Sequence, residues 1–260
     1  MAFTVHAVMP GVWHIVDCMG VCMTLLEGEN AAMLVDTGYG IEDVADFMRH
    51  MTDLPLTVFL THNHHDHAMG ARCFPETYML EADMADWRMF TNDEMRRRVL
   101  TQAIGKNLTV DEKTFLAGEI PLPKVMKPGV IDLGGLTAEI IEAPGHTPGS
   151  AVVYVPERKL LLSGDDWNPC TWLFFPQALV LREYRSNMRG IQQLPFEKVL
   201  CPHREALYDR WMFDDFFNAL TDGNLRAAEP VNIAPYEQID TCQATLPHDQ
   251  VLVFDLSLIH

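Results

Sequence analysis

The chain has 260 residues, 48% of them apolar and 21% charged, an ordinary globular composition long enough for one large domain. Its charge is not ordinary: 19 Lys and Arg against 36 Asp and Glu give −17, which argues against nonspecific attraction to a DNA or RNA backbone. No apolar run approaches the ~18 residues of a membrane span, the start lacks a basic and apolar leader, and six cysteines form no C-x-x-C pair. A reduced, cytoplasmic protein without nucleic-acid or membrane partners is expected.

From the start of the chain, Val12–Val16, Val21–Leu26 and Ala31–Val35 read as strands, with a turn at Gly28-Glu29-Asn30. A loop, Asp36-Thr37-Gly38-Tyr39-Gly40, follows. Ile41, Val44, Phe47, Met48 and Met51 then recur at helical spacing, so residues 41–51 are expected to form an amphipathic helix on the sheet. Leu56–Leu60 has the β-branched and aromatic content of a buried strand. Residues 82–120 carry more than a strand-to-helix connection requires. Met84, Trp87, Met89, Phe90 and Met95 predict a helical insertion there, serving as core, as a roof over a site or as a homodimer face. Pro121, Pro123 and Pro128 mark a connector.

The second half repeats the strand logic. Gly134-Gly135 turns a hairpin into Leu136–Ala143, and Ala151–Val155 pairs with Leu160–Leu162 across Pro156-Glu157-Arg158. Leu181–Leu194 and Glu205–Leu220 read as helices, the latter with Leu207, Trp211, Phe213, Phe217 and Leu220 as its apolar positions. Lys198–Leu200 is a short strand, and Val231–Ile233 and Val251–Phe254 are expected as edge strands. From Glu205 onward, 10 acidic residues face 2 Arg, which describes a solvated surface.

The strand Leu56–Leu60 runs into Thr61-His62-Asn63-His64-His65-Asp66-His67, four imidazoles and a carboxylate in six consecutive residues. Histidine is the commonest ligand for borderline metals, and carboxylates complete such sites. His62 and His64 point the same way in an extended segment, while Asp66 and His67 turn toward a second point. Alone, this heptapeptide is also compatible with a solvated His-rich turn. Three later fragments argue against that: Gly145-His146-Thr147-Pro148-Gly149-Ser150, Ser163-Gly164-Asp165 and Cys201-Pro202-His203. Each places one ligand type just past a short apolar strand, where α/β folds gather functional loops.

In type, order and setting, His62, His64, Asp66, His67, His146, Asp165 and His203 resemble the seven-ligand pattern of the metallo-β-lactamase superfamily. The resemblance extends from about Val5 to His203. It implies an α/β fold, an αββα sandwich of two mixed β-sheets flanked by helices, spanning 1–260 as a single domain. It also implies two divalent metal ions. One is held by His62, His64 and His146, the other by Asp66, His67 and His203, and Asp165 bridges them. Zinc suits these nitrogen and oxygen donors best, and iron or manganese also accept them. Asp66, Asp165 and His203 are the candidate catalytic groups. Asp36 is expected to orient a ligand histidine from behind, His65 to support the ligands or lie at the rim, and Asp166, beside the bridge, to be a hydrogen-bonding support and not an eighth ligand. Cys170 and Cys201 are not needed as ligands.

Departures from the superfamily's branches narrow the activity. True class B β-lactamases lack an equivalent of Asp165. Lactonases carry a Tyr three residues after the bridging Asp, where this chain has Asn168. Flavodiiron proteins have Glu where His64 stands, and RNase Z-like nucleases need a basic arm. Glyoxalase II-like thioesterases resemble the first motif, without their C-terminal domain being evident here. Trp167, Asn168, Trp172, Phe174 and Arg204 are the candidate substrate-binding residues, an aromatic pocket wall with a cation, and Arg182 and Arg185 would join Arg204 in an anion clamp if they face inward. The expected activity is a metal-dependent hydrolysis of an ester, lactone or related acyl bond of a small apolar or aromatic molecule. The alternatives are a phosphodiesterase, a glyoxalase II-type thioester hydrolase and, more remotely, a mononuclear iron dioxygenase.

Overall fold

The computed structural model describes residues 3–234 and 236–259. Its first sheet follows chain order through seven strands: β1 (Thr4–Met9), β2 (Val12–Val16), β3 (Cys22–Glu27), β4 (Ala32–Val35), β5 (Leu56–Phe59), β6 (Tyr78–Met79) and β7 (Lys124–Val125). Pairing is antiparallel from β1 to β4 and parallel from β4 to β7. The next strands are β8 (Gly129–Asp132), β9 (Thr137–Glu142), β10 (Ala151–Val155), β11 (Leu160–Leu162), β12 (Cys170–Leu173), β13 (Lys198–Leu200) and β14 (Tyr208–Asp209). All of these except β12 build the second sheet, in the order β14-β13-β11-β10-β9-β8, with one parallel pair, β11 and β13.

Alternation of apolar residues decides how the layers meet. Val12, Leu26, Met33, Val35 and Phe59 from the first sheet bury themselves against Ile140, Val153, Val155, Leu160 and Leu162 from the second. Outside the first sheet lies α1 (Val44–Met51), whose Val44 and Met48 pack on Ile15, Leu34 and Val58. Outside the second lie α6 (Leu181–Ile191) and α7 (Arg210–Ala219), with Tyr184, Met188, Phe213 and Phe216 packed on Val152, Leu161 and Val199. The result is an αββα sandwich. Between the two outer layers, the chain forms α2 (His65–Ala68), then α3 (Trp87–Thr91), α4 (Asp93–Gly105) and α5 (Glu112–Phe115). Trp87, Val99, Leu100 and Phe115 gather over Leu60, Met69 and Met79. Arg96, only 2% exposed, ties this helical stretch by donating to the carbonyls of Phe115 and Gly118 and pairing with Asp93.

The C-terminal part departs from expectation. The helix expected over 205–220 begins only at Arg210. Tyr208 and Asp209 pair instead with β13, and Leu207 and Trp211 are exposed. Likewise α1 starts at Val44 because the Asp43 side chain accepts the Asp46 N–H, capping the helix there. Val231–Ile233 is not a strand. The chain pairs at β15 (Glu229–Pro230) and β16 (Thr241–Thr245), and β17 (Val251–Asp255) runs between β16 and β12 as an interior strand. This third, four-stranded sheet shares the outer core through Ala244, Leu252 and Phe254. No helix among the described residues is long and apolar enough to cross a membrane.

Candidate metal centre

The ligand-rich loop is held from behind by Asp36, at the end of β4. Its φ of +64° puts a non-glycine residue in the left-handed region, a conformation that persists only where surroundings impose it. They do so here. Asp36 Oδ1 accepts the Thr61 N–H at 2.7 Å, and Oδ2 lies 3.0 Å from His67 Nδ1. Thr37 donates both its N–H and its hydroxyl to the His67 carbonyl, at 2.8 and 2.7 Å. A Cβ on Gly70 would lie 2.2 Å from the Thr37 oxygen, so the chain after His67 approaches this brace as only glycine permits.

These contacts set which ring nitrogen each histidine presents. A carboxylate only accepts, so His67 Nδ1 carries the proton and Nε2 offers its lone pair. His146 Nδ1 donates to the Trp172 carbonyl at 2.7 Å, again leaving Nε2 free. His62 Nδ1 meets the Thr61 hydroxyl at 3.1 Å. His64 turns its Nδ1 inward, 2.8 Å from His146 Nε2. Two clusters result, His62 with His64 and His146, and Asp66 with His67, Asp165 and His203. Within each, one donor atom per residue lies within 4.8 Å of all the others.

Asp165 stands between them. Gly164, at φ +51°, turns the chain after β11 to aim it. Oδ2 lies 3.9 Å from His62 Nε2 and 3.5 Å from His146 Nε2, while Oδ1 lies 3.4 Å from His67 Nε2 and 3.1 Å from His203 Nε2. Asp66 Oδ2 approaches His67 and His203 at 3.6 and 3.7 Å. His62 Nε2, His67 Nε2 and Asp165 Oδ1 are buried without a hydrogen-bond partner. Buried polar atoms are rarely left so, and three converging ones fit a cation. Imidazole and carboxylate donors at these spacings make this a divalent-metal site.

Left to protons alone, the two clusters behave oppositely. Burial drives His62, His64 and His146 below the ordinary imidazole range, and for His62 the neighbouring His67 and His64 add to it. Burial also acts on His67 and His203, but Asp165 and Asp66 outweigh it and raise both. Against its own burial, Asp66 is held down to about 2 by His67, His65 and His203.

Two buried carboxylates brace the ligands. Asp166 accepts the His146 N–H at 2.9 Å, and burial raises its pKa well above the usual carboxylate range. Asp83 carries no motif, and sequence reasoning missed it. Its oxygens accept the Asn63 N–H at 3.2 Å, the Thr147 hydroxyl at 2.7 Å and the Gly149 N–H at 2.6 Å, joining the loops of His64 and His146.

Beside the clusters opens a cavity of about 400 Å³. Asn168, Trp172, Arg204 and His65 line it. Trp167 does not: it is fully buried behind the site, edge-on to Tyr208 and tilted on Phe213, because the 3-10 turn over 164–166 sends it into the core. Phe174 is buried too and backs the wall, its ring stacked at 4.7 Å on Phe175, which does face the cavity. Phe90 of α3 and Phe175 lie 4.3 and 4.7 Å from the His64 ring. Tyr39 and Tyr236 complete the lining from other loops. Arg182 and Arg185 stand outside it, Arg185 pairing with Asp222. Cys170 lines the cavity and Cys201 is buried, neither within the metal clusters.

A β-sandwich with a metal cluster at its strand ends defines a class, and residues 16–166 match the family model of the metallo-beta-lactamase superfamily. The chain belongs to this superfamily, as a hydrolase. Over 202 residues, 69% of this chain and 70% of the other, it is 26% identical to the acyl-coenzyme A thioesterase MBLAC2 of Gallus gallus. It is 23% identical over 173 residues to a linear primary-alkylsulfatase of Pseudomonas sp. (strain ATCC 19151), 54% of this chain and only 32% of that enzyme. The fold matches a metallo-beta-lactamase from Pontibacter korlensis at a TM-score of 0.60, with 17% identity, 83% of this chain and 97% of that one.

Proposed function

We propose that this chain is a dinuclear hydrolase, with zinc as the best-suited metal, that cleaves an acyl bond (ester, thioester or lactone) of a small molecule with an apolar or aromatic part. The observation that carries the reading is Asp165, whose two carboxylate oxygens face the two histidine clusters from one side chain. A divalent pair bound there supplies activated water at neutral pH and polarises the bond under attack. His62, His64 and His146 offer three neutral donors. Asp66, His67 and His203 offer a more anionic set with Asp165 beside it. No Ser or Cys nucleophile is required.

The protein's own share is orientation. Phe90, Phe175 and Trp172 offer an apolar surface beside His64 and His146, suited to the acyl part. Arg204 is the sole Lys or Arg in the lining, on the His203 side, suited to a polar leaving group. Similarity to an acyl-coenzyme A thioesterase favours acyl over phosphoryl chemistry. Similarity to an alkylsulfatase supports a second reading, a sulfate ester. The test is elemental analysis followed by a panel of aryl esters, thioesters, lactones, bis-aryl phosphates and alkyl sulfates. Two ions per chain with turnover confined to acyl substrates is expected. Full acyl activity with one ion per chain would sink the dinuclear reading.

A further inference from the structure

The position three residues after Asp165 holds an amide, Asn168, whose Oδ1 already accepts the Cys170 N–H at 2.8 Å. A phenol enters the same cavity from elsewhere. Tyr39 lies in the loop after β4, near Asp66, with its ring edge-on to His65 at 5.5 Å between centroids. This loop is tightly fixed. The Tyr39 N–H donates to Asp17 Oδ2 at 3.0 Å, and Asp17 Oδ1 accepts from Met19, Gly20 and Val21 at 2.9 to 3.0 Å. On the other flank, a Cβ at Gly40 would lie 2.6 Å from the Gly70 Cα, so this loop sits directly on the chain that follows His67. Three backbone N–H groups of its own turn thus fix the buried Asp17 carboxylate, and the fourth, from Tyr39, ties the loop that carries the phenol to it.

The Tyr39 hydroxyl has no hydrogen-bond partner among the described residues, although its ring is partly buried. A phenol keeps its proton at neutral pH, so this hydroxyl is available as a donor. Tyr236 offers a second hydroxyl, but its ring belongs to the aromatic wall, packed on Phe174 and Phe175 at 5.5 and 5.4 Å. Tyr236 also lies near Asp66, but of the two only Tyr39 joins an unused donor to a backbone N–H anchored on a buried carboxylate.

We infer that Tyr39 is a catalytic residue whose phenol donates a hydrogen bond to the substrate oxygen that gains negative charge as the acyl carbon is attacked. This rests on the acyl-hydrolase reading. No proton is transferred: the O–H stays on Tyr39, and its hydrogen bond to the substrate oxygen shortens as charge develops there. A preorganised donor of this kind acts on the transition state more than on the bound substrate.

The test is Tyr39→Phe, which removes one unpartnered oxygen and leaves packing intact. On an aryl ester, kcat should fall on the order of 10²-fold with KM within about 2-fold, as for loss of one oxyanion donor. Melting temperature and metal content should match the unsubstituted protein. Binding of an aryl boronic acid, which becomes tetrahedral and anionic, should weaken by a similar factor, while binding of the matching benzoate product changes little. Equal boronate affinity in both proteins, or none in the parent, overturns the assignment whichever substrate the enzyme turns over. A fall in metal content matching the fall in kcat also overturns it, by making Tyr39 structural. A parent protein that binds boronate through Tyr39 yet cleaves no acyl substrate would instead count against the acyl-hydrolase reading.

Discussion

The Thr147 hydroxyl donates a 2.7 Å hydrogen bond to Asp83 Oδ2, and this contact joins two ligand loops from different sheets. The same oxygen accepts from Asn63, beside His62 and His64, while Oδ1 accepts from Gly149, three residues after His146. Asp83 is 1% exposed, so none of these donors finds water if the carboxylate is lost. Asp83→Ala should therefore cost roughly 2–5 kcal/mol of stability, the scale of several unsatisfied buried donors. It should also weaken metal binding, because His64 and His146 lose their shared support. Calorimetry and elemental analysis check both, and an unchanged melting temperature would remove Asp83 from this role. Gly149→Ala should act in the same direction, since its Cβ would lie 2.6 Å from the Asp83 carboxyl carbon.

Asp36→Asn keeps the shape of the brace and changes its chemistry. An amide can present its N–H₂ to His67 Nδ1, which would move the ring proton to Nε2, the atom aimed at the site. Metal affinity should drop about 10- to 100-fold, as for other supports of metal-ligating histidines. Competition against a chromophoric chelator measures this. Affinity within 2-fold of the parent would show that Asp36 only shapes the backbone.

The two clusters should fill at different pH. Below the ordinary imidazole pKa, a histidine shifted downward is still neutral and free to bind, whereas one shifted upward holds a proton that a metal must displace. His62, His64 and His146 are shifted down by burial, and His67 and His203 up by Asp165 and Asp66 despite theirs. At about pH 6, near the unperturbed imidazole value, the three-histidine cluster should bind one ion per chain. The second ion should enter as pH rises through and above neutral. Metal content after equilibration across a pH series reads this directly. Simultaneous loss of both ions at one pH contradicts the asymmetry.

What was legible in the sequence were features that announce themselves locally. His62, His64, Asp66 and His67 share one loop, and His146, Asp165 and His203 each follow a short apolar strand, so order along the chain prefigured convergence. Asp83 was not legible: it lies in a 3-10 turn between a two-residue strand and a short helix, and its partners are up to 66 residues away. The third sheet was hidden for a similar reason. Thr241–Thr245 alternates polar and small residues, and its partners at 229–230 and 251–255 are short. Trp167 shows the converse error. Proximity to Asp165 in sequence argued for a wall, whereas the tight turn over 164–166 reverses its direction into the core.

That reversal separates two tryptophans five residues apart. Trp167 is fully buried against Tyr208 and Phe213, so Trp167→Ala should cost roughly 3–5 kcal/mol, the scale of a deleted core aromatic. Trp172 is partly exposed on the cavity, so Trp172→Ala and Phe175→Ala should raise KM for bulky apolar acyl substrates with metal content unchanged. Denaturant unfolding and steady-state kinetics on the same variants read both effects. Matching stability losses at 167 and 172 would show that the wall is plain core.

Arg204 decides how far the site favours charged substrates. It is exposed, its Nη1 donates to the His203 carbonyl at 2.8 Å, and no Lys or other Arg lines the cavity. A phosphodiester or sulfate brings a full negative charge to a chain of net charge −17, and among the described residues Arg204 is the one cationic side chain in the lining to receive it. A neutral ester needs only one oxygen polarised. Exposed charges are screened beyond ~8 Å at physiological ionic strength, so a reaction that depends on Arg204 steering must slow as salt is added. We therefore expect kcat/KM on an aryl ester to exceed that on bis-aryl phosphate or an alkyl sulfate. The ester rate should change by less than about 2-fold from low to high salt, because it lacks the charge that salt screens. Arg204→Ala should depress the anionic substrates more than the ester. Faster turnover of the sulfate or phosphodiester, falling steeply with salt and with Arg204→Ala, would reverse the ranking of acyl and anionic substrates.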